Sequence, residues 1–424
     1  MIKKIIKNCL PYGFVKLLRK NKVDIYSQNI CERFFININV IVDEKREQTI
    51  NIFFPGDIKS TISAGPLSIL YFANFLHNMG LNIRLLFFPH KISSEEIKVN
   101  ICKFDHKFRD FCNTVEIDFM EISNNSTNKI FISTQDIAVA TYWESAFYAK
   151  QIQSYCNSKK FIYFIQDDER TFYKNGTEHL LVENTYKFDF YGLFSTEILR
   201  QYFIEENVGN ICLKKSISQE SPSYYKLPSK NEFVKRSGKK RFAFYARFGR
   251  NCYEYAEYLI KKAYQIGILT KNWEIYGIGA KEAKDIEIDE DMQIHLQKSI
   301  PLQTYRDNLH TYDVALILME TPHYSMLPID LALSGCIVVT NTYKTKTREA
   351  LSNISKNILG SSFDLESMLK SIKQAVLISE NLEERYKNAI ESNFSTIDNI
   401  FNEKHKIWIN DILAEESGSK YIAT

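Results

Sequence analysis

The sequence lacks paired cysteines and long apolar runs. Its eight cysteines are scattered singly along 424 residues, and no two form a C-x-x-C pair. This distribution argues against a disulfide framework and against a zinc site, and it is typical of reduced thiols in the cytoplasm. No apolar run approaches the roughly 18 residues that a membrane-spanning helix needs. We therefore expect a cytoplasmic protein.

An excess of charge of one sign is also missing. The chain has 54 Lys and Arg against 51 Asp and Glu, a net charge of +3, which gives no reason to expect a nucleic-acid partner. Repeats of 20–50 residues and low-complexity tracts are absent as well, which argues against a solenoid. Because 424 residues exceed what one compact core usually holds, we expect two domains.

Residues 1–34 form a basic N-terminal segment. Its first 22 residues contain seven Lys or Arg and no acid, and Pro11, Tyr12 and Gly13 interrupt its apolar positions. Two short amphipathic pieces of this kind suit an anionic membrane face, so one expectation is peripheral contact with the cytoplasmic face of the inner membrane. A solvated basic helix packed on its own domain is the equal alternative.

Strand-like and helix-like stretches alternate from about residue 35 to residue 225. A helical stretch, Pro66–Gly80, ends on a glycine suited to a helix C-cap. Such alternation predicts a parallel sheet with helices on both faces. The predicted strands are Phe34–Val42, Ile83–Phe88, Lys129–Ser133, Phe161–Ile165 and Tyr191–Ser195.

A second alternating series follows a polar, basic stretch from about Ser216 to Lys240. We therefore predict an α/β protein with two doubly wound, Rossmann-like domains, residues 35–225 and 226–390, facing each other across a cleft. Residues 391–424 contain a final helix that can pack back on the first domain. The predicted strands are Arg241–Tyr245, Trp273–Gly277, Val314–Met319 and Cys336–Thr340, and the predicted helices are Cys252–Gly267 and Leu302–Leu309.

Residues suited to an anionic ligand follow two strands of the second domain. Arg247 and Arg250 come after the strand that ends at Tyr245, and a guanidinium binds a diphosphate with two parallel hydrogen bonds. Gly277 and Gly279 stand at the end of the next strand, where a backbone without Cβ can approach a ligand. A lone G-x-G is a weak signal, and Arg247 could equally form a surface ion pair.

The segment from His323 to Asp330 connects one buried strand to a short helix. The free N–H groups and positive dipole end of a helix N-terminus attract an anion. Asp330, about one turn further on, is placed to accept a hydrogen bond from a ribose diol. The alternative for Asp330 is a solvated helix residue.

These residues resemble a family. The pattern Y-A-R-x-x-R-N, followed by L-x-L-M-x-x-P-H-x-S-x-x-P-x-[DE]-x-A-x-S-G-x-x-V-V-T-N, is similar to the rhamnosyltransferases of bacterial surface-polysaccharide assembly. Those enzymes have the GT-B fold and are like glycosyltransferase family 4. Three segments of the first domain, 138–146, 164–173 and 175–186, are similar to that family too. The resemblance covers roughly residues 35–390.

The resemblance implies a glycosyltransferase that transfers L-rhamnose from dTDP-L-rhamnose to a growing glycan of lipopolysaccharide, capsule or S-layer. The second domain would bind the nucleotide-sugar donor, and the first would bind the sugar and a glycan or lipid-linked glycan acceptor. No cofactor and no metal are expected. The implied donor-binding residues are Arg247, Arg250, Gly277, Gly279, Ser299, His323, Tyr324, Ser325, Met326, Leu327 and Asp330.

In the first domain the resemblance implies that an acidic cluster faces the cleft and serves turnover. Asp167 is favoured over Asp168, because the family pattern carries the first acid and Glu169 but leaves the middle position variable. The alternative is that these acids cap the following helix and pair with Arg170. The implied catalytic residues are Gln166, Asp167 and Glu169, and the implied sugar or acceptor contacts are Ser63, Gly65 and Trp143.

One departure from the pattern leaves the stereochemistry open. Many retaining GT-B enzymes carry E-x7-E here, but counting back from Asp330 reaches Pro322, which is no carboxylate. Two other functions stay open: a nucleotide-sugar-modifying enzyme such as an epimerase, and a non-catalytic nucleotide-sugar-binding protein. Asp289 and Asp291 match a D-x-D metal motif, but their acidic surroundings favour a solvated loop.

Overall fold

The computed structural model describes most of the chain between residues 38 and 417. The described residues are 38–56, 58, 64–88, 92–120, 128–219, 222, 223, 225, 227, 229–234, 238–247, 251–298, 300, 302–396 and 399–417. The basic N-terminal segment, with its predicted membrane contact, therefore lies outside the described residues.

The described residues of the first domain form nine strands. They are β1 (Val40–Val42), β2 (Thr49–Phe53), β3 (Asn82–Phe87), β4 (Glu116–Phe119), β5 (Ile130–Ile132), β6 (Ile137–Ala140), β7 (Phe161–Ile165), β8 (Phe190–Phe194) and β9 (Ser216–Ser218). Seven of them form one parallel sheet in the order β4-β3-β2-β6-β7-β8-β9, and β1 pairs with β5 in a separate parallel ladder. The helices are α1 (Ala64–Asn78), α2 (Ser94–Phe104), α3 (Arg109–Thr114), α4 (Trp143–Ser154), α5 (Thr177–Tyr186) and α6 (Glu197–Glu205).

Strand β2 lies in the middle of this sheet although a polar residue interrupts its apolar pattern. Asn51 is fully buried, and its Nδ2 donates to Asp136 Oδ2 at 2.9 Å while its Oδ1 accepts from Arg84 Nε at 2.7 Å. Burial raises the pKa of Asp136 and lowers the pKa of Arg84. These bonds satisfy polar groups that would otherwise destabilise the interior of the sheet.

The second domain is built on another seven-stranded sheet, in the order β13-β14-β12-β11-β15-β16-β17. All pairs in it are parallel except the hairpin of β13 with β14. The strands are β11 (Lys240–Tyr245), β12 (Trp273–Ala280), β13 (Lys284–Glu287), β14 (Gln293–Lys298), β15 (Val314–Leu316), β16 (Ile337–Asn341) and β17 (Ile358–Ser361). The helices are α7 (Lys230–Val234), α8 (Tyr253–Gln265), α9 (Leu302–Leu309), α10 (Met326–Leu333), α11 (Arg348–Ile354), α12 (Leu365–Ile378) and α13 (Leu382–Ile390).

The chain crosses between the domains twice. The expected linker begins as β9, the edge strand of the first sheet, and then forms a two-residue strand, β10 (Pro222–Ser223), that pairs with β18 (Ser395–Thr396). After β18 the last helix, α14 (Glu403–Ser417), packs on the first domain. Trp408 lies in the first-domain core, and Glu415 accepts a hydrogen bond from the Tyr191 hydroxyl at 2.9 Å.

The predicted fold class is confirmed: two parallel-sheet, Rossmann-like domains face each other across a cleft. Each sheet is covered by helices, which is why its strands are buried on both faces. None of the described helices is both long and apolar enough to span a membrane.

Candidate active site

A cleft of about 370 Å³ separates the two sheets at the carboxyl ends of their strands. Ligands of wound parallel sheets bind at this edge, because loops there can vary without disturbing the core. The first domain lines the cleft with Pro55, Ala64, Gly65, Pro66, Ser68, Thr141, Tyr142, Gln166, Asp167, Glu169, Phe172, Ser195, Thr196 and Gln219. The second domain contributes Tyr245, Arg247, Asn251, Met319, His323, Tyr324, Ser325 and Met326.

The structure separates the two neighbouring aspartates of the acidic cluster. Asp167 lines the cleft, whereas Asp168 is turned into the domain and is 2% exposed. The Asp168 carboxylate accepts from Arg170 Nε at 2.9 Å, from Arg170 Nη2 at 2.8 Å and from the Tyr202 hydroxyl at 3.2 Å. It also accepts from the Arg170 amide and so caps the short helix that follows. The capping alternative thus describes Asp168.

Glu169 has a structural partner although it also lines the cleft. Its Oε2 accepts a hydrogen bond from the Trp143 amide at 2.6 Å, at the first residue of α4. A carboxylate at a helix N-terminus satisfies a free amide and interacts favourably with the helix dipole. Glu169 therefore ties the acidic cluster to the start of α4.

Gln166 lies against the start of α1. A Cβ atom added at Gly65 would overlap the Gln166 side-chain oxygen, so the absence of a side chain at Gly65 makes room for Gln166. The Ser195 hydroxyl donates to the Gln166 carbonyl at 2.8 Å. The predicted residues Gly65, Gln166, Asp167 and Glu169 thus meet on one wall.

The Trp143 side chain is not on that wall. Trp143 requires a correction, because its side chain is 4% exposed and packs in the core with its indole N–H donating to the Tyr173 hydroxyl at 3.0 Å. Trp143 is linked to the cleft by its backbone N–H, which donates to the Glu169 carboxylate. Ser63 lies outside the described residues.

Arg247 is exposed on the opposite wall, immediately after β11. Beneath it, Asn251 Nδ2 donates to the Leu318 carbonyl at 3.1 Å. Asn341 bonds both backbone groups of Met319, at 2.8 and 2.9 Å. These bonds fix the loop that leaves β15 and lines the cleft. Arg250 and Ser299 lie outside the described residues.

The start of helix α10 faces the cleft, since Ser325 and Met326 both line it. Ser325 has φ 66° and ψ 162°, a conformation that is uncommon for any residue except glycine and that recurs at ligand sites. Pro328 has no N–H, so the amides of Met326 and Leu327 are the donors of this first turn. The Leu327 side chain itself packs in the core, and Tyr324 is 2% exposed.

Asp330 is buried beneath this helix start and is not among the cleft residues. Its side chain is 1% exposed, Oδ1 accepts from the Ser223 hydroxyl at 2.8 Å, and Oδ2 accepts from the Tyr305 hydroxyl at 3.0 Å. Burial and the Asp330 carboxylate raise the pKa of Tyr305. The alternative of a solvated helix residue is therefore wrong, and Asp330 ties α10 to the interdomain segment.

Gly277 and Gly279 also require a correction. The strand β12 continues past its predicted end at Gly277, so both glycines lie inside it. A Cβ at Gly277 would come within 2.9 Å of Ala246 Cβ, and one at Gly279, which has φ 81°, within 2.9 Å of the Tyr245 ring. Packing inside the domain thus explains both glycines. Asp289 and Asp291, the D-x-D pair, are exposed between β13 and β14, and no group of metal-ligating side chains occurs within the described ranges.

A buried lysine that the sequence analysis did not single out lies behind the cleft. Lys346 is fully buried, and its Nζ donates to the Met319 carbonyl at 3.1 Å. Burial lowers the pKa of Lys346 to about 8, and the Asp167 carboxylate across the cleft opposes this shift. The same loop contacts the first domain twice more, through Thr345 Oγ1 to the Ile198 carbonyl at 2.9 Å and Lys344 to Glu206 at 3.1 Å. Only the fold reveals this link, because nothing in its local sequence marks Lys346.

Lys346→Met is expected to raise thermal stability at pH 7. The variant removes a buried charge, and the Met319 carbonyl keeps its bond from Asn341. In the wild type, the folded-state pKa of Lys346 is about 8, below that of an unfolded lysine, so the unfolded state binds more protons between these values. The buried ammonium therefore destabilises the wild-type fold fully below about pH 8, and this destabilisation disappears as the pH rises towards the pKa of an unfolded lysine.

Melting temperatures of both proteins from pH 7 to pH 10 measure this difference. The advantage of Lys346→Met should shrink across that range. Lys344→Met, at the exposed pair with Glu206, is the matched control and should show a constant, small difference. A wild type that stays more stable than Lys346→Met at pH 7 would contradict the assignment of a destabilising buried ammonium.

Two facing Rossmann-like domains with a cleft between their strand ends define the class of GT-B proteins. The structure is similar to sucrose-phosphate synthase from Thermosynechococcus elongatus, with a TM-score of 0.57 and 10% identity over 88% of this chain and 100% of that one. It is equally similar to Staphylococcus aureus TarM, a mutant in complex with Fondaparinux, alpha-GlcNAc-glycerol and UDP, with a TM-score of 0.57 and 11% identity over 86% and 99% of the two chains. Likeness at this level of identity shows the fold.

The family follows from the two domains themselves. Residues 49–193 match the model of the WsaF N-terminal domain, and residues 240–373 match the model of the WsaF C-terminal domain. The chain therefore belongs to the WsaF family of glycosyltransferases. It is also 28% identical over 212 residues to the O-antigen biosynthesis protein RfbC of Myxococcus xanthus, a match that covers 50% of this chain and 16% of that protein. The chain thus matches only a small part of that relative.

Proposed function

We propose that the protein transfers a sugar from a nucleoside diphosphate to a growing bacterial surface glycan. The observation that carries this proposal is the opposition of two walls across one cleft. Arg247 and the start of α10 lie on one side, and Asp167 and Glu169 lie among neutral polar groups on the other. A donor diphosphate suits the first wall, and hydroxyl groups suit the second. The O-antigen relative supports a surface glycan as the product.

The second domain is the proposed donor site. Arg247 binds the diphosphate through its planar fork of donors, and the amides of Met326 and Leu327 add hydrogen bonds at the positive end of the α10 dipole. Asp330 remains the proposed ribose ligand. A ribose hydroxyl would then have to replace the hydroxyl of Ser223 or Tyr305 on its carboxylate.

The proposed donor is dTDP-L-rhamnose. Support comes from the sequence pattern around residues 314–341, which resembles that of rhamnosyltransferases. It also comes from Pro322, which occupies the position at which many retaining GT-B enzymes contact the sugar through a glutamate. A 6-deoxy sugar lacks one hydroxyl of an ordinary hexose, which suits a site without that carboxylate.

Asp167 is the proposed general base. Its carboxylate takes the proton of the acceptor hydroxyl as the acceptor oxygen bonds to the anomeric carbon. The bond from that carbon to the phosphate oxygen breaks, and dTDP leaves with the electron pair. Arg247 and the helix amides stabilise the charge that develops on the leaving group, and this stabilisation is preorganised because the α10 start is fixed by the fold. The proposed steps use side chains and backbone amides of this protein, and no metal is proposed.

The proposal places this reaction in the cytoplasm, where scattered reduced cysteines are stable. The acceptor is a glycan or a lipid-linked glycan. Residues 1–34, with their basic composition, are proposed to contact the inner membrane and so bring the cleft to a lipid-linked acceptor.

Calorimetry against dTDP, UDP, GDP, ADP and CMP tests the donor class, and we expect dTDP to bind most tightly. Incubation with dTDP-L-rhamnose and lipid-linked glycan should then give dTDP and a lengthened glycan. An epimerised nucleotide sugar would indicate a modifying enzyme, and binding without turnover a binding protein. Preference for UDP would remove rhamnose from the proposal, and absence of nucleotide binding would overturn it altogether.

A further inference from the structure

Gln219 lines the cleft and carries a buried polar side-chain atom. It follows β9 directly at the edge of the first sheet, lines the cleft and is 4% exposed. Its side-chain oxygen, Oε1, is buried and accepts a hydrogen bond from none of the described residues. A buried amide oxygen without a partner destabilises the folded state, so native proteins rarely keep one without a use.

The residue is held from several sides, so its position is set by the fold. Its backbone N–H donates to the Phe194 carbonyl at 2.9 Å. The preceding residue, Ser218, is fixed by two further elements: its hydroxyl donates to Glu197 Oε2 at 2.7 Å, and its carbonyl is bonded by His405 Nε2 at 2.9 Å. Both contacts come from helices, α6 and α14, that are packed on the first domain. These contacts fix the position from which the Gln219 side-chain amide extends.

The chemistry of the wall defines the ligand. The described first-domain residues that line the cleft include two carboxylates, Asp167 and Glu169, and no Lys, Arg or His. Such a wall repels a phosphate or another anion. A sugar hydroxyl suits it, because a hydroxyl can donate to the amide oxygen or accept from the amide NH₂ in either orientation of the side chain.

We propose that Gln219 is a specificity-determining residue that binds one hydroxyl of a neutral sugar in the first-domain wall of the cleft. The proposal rests on the proposed glycosyltransferase function, and it adds the group by which the first domain recognises its sugar. The hydroxyl belongs either to the donor sugar or to the acceptor glycan, which present the same chemistry to the amide. Selectivity follows because an analogue without that hydroxyl leaves the amide oxygen unpaired again.

Gln219→Leu tests the proposal, because leucine has a similar size and no hydrogen-bonding group. We expect an unchanged or higher melting temperature, since the variant removes an unpaired buried polar atom. A purely structural role for the amide would lower the melting temperature. Gln201→Leu is the matched control, because Gln201 bonds Glu197 on the exposed side of α6 and does not line the cleft. It should leave both binding and turnover unchanged.

Two measurements identify the source of the hydroxyl. If it belongs to the donor, Gln219→Leu should bind dTDP-L-rhamnose about tenfold more weakly and bind dTDP as the wild type does. If it belongs to the acceptor, both nucleotides should bind normally, and kcat/KM for the lipid-linked glycan should fall about tenfold. Normal donor binding together with a normal kcat/KM would overturn the role of Gln219 and leave the glycosyltransferase proposal intact. Failure of the wild-type protein to bind dTDP would instead count against the proposed function.

Discussion

Asp167→Asn is expected to reduce sugar transfer by about 10²-fold or more, the range of a lost acid–base group. The substitution keeps the size of the side chain but leaves the acceptor proton without a base. Affinity for dTDP should stay near that of the wild type, because the proposed diphosphate site lies on the opposite wall. Folding should survive, since Lys346, whose pKa burial has already lowered to about 8, can release its proton when its carboxylate neighbour is lost.

Asp168→Asn is the matched control, one residue along the chain. Asp168 is paired with Arg170 and Tyr202 inside the domain, so its loss leaves a partly buried guanidinium without its carboxylate. We expect a loss of about 1–3 kcal/mol of stability and a smaller change in transfer for the folded fraction. Asp167→Asn should therefore lose turnover and keep its stability, whereas Asp168→Asn should lose stability.

Steady-state transfer, dTDP calorimetry and thermal unfolding of both variants decide the matter. Transfer by Asp167→Asn at the wild-type rate would remove Asp167 as the base. Equal loss of stability in both variants would show that Asp167 supports the structure in the same way as Asp168.

The fold was predictable to the extent that its signals are local. Alternating apolar strands and amphipathic helices predicted two wound sheets, and the strands β7, β8, β11 and β16 occur within one residue of their predicted positions. The central strand β2 gave no such signal, because Asn51 interrupts its five residues. Asn51 is stable there only because Asp136 and Arg84, distant along the chain, satisfy it. Non-local hydrogen bonds of this kind cannot be inferred from periodicity.

In the candidate site, too, the features that local sequence encodes could be predicted and those that depend on distant contacts could not. The strand, turn and helix start around Ser325 are consecutive in the sequence, so their position at the cleft could be predicted. Trp143 and Gly277 could not be placed, because whether a side chain or a glycine faces a ligand or a core depends on what packs against it. Neither Gln219 nor Lys346 belongs to a sequence motif. The fold leaves the Gln219 side-chain oxygen without a hydrogen-bond donor among the described residues, and it places the buried Lys346 near Asp167.

Arg247→Ala is expected to weaken dTDP binding by about 1.5–3 kcal/mol, roughly tenfold to 10²-fold, the range of a hydrogen bond to a charged group. The side chain is exposed on the cleft wall, so its truncation should leave the melting temperature unchanged. Arg247→Lys should recover only part of the affinity, because an ammonium cannot reproduce the planar fork of a guanidinium. Arg241→Ala is the control, since Arg241 pairs with Glu274 at the opposite end of β11.

Calorimetry at two ionic strengths separates the charge of Arg247 from its shape. Salt screens an exposed charge, so the wild-type affinity should fall at high salt and the gap to Arg247→Ala should narrow. The backbone donors of Met326 and Leu327 carry no net charge, so the affinity that remains in Arg247→Ala should depend less on salt. If Arg247→Ala binds dTDP as tightly as the wild type at both salt concentrations, Arg247 does not bind the diphosphate. The diphosphate would then have to be bound by residues elsewhere in the cleft.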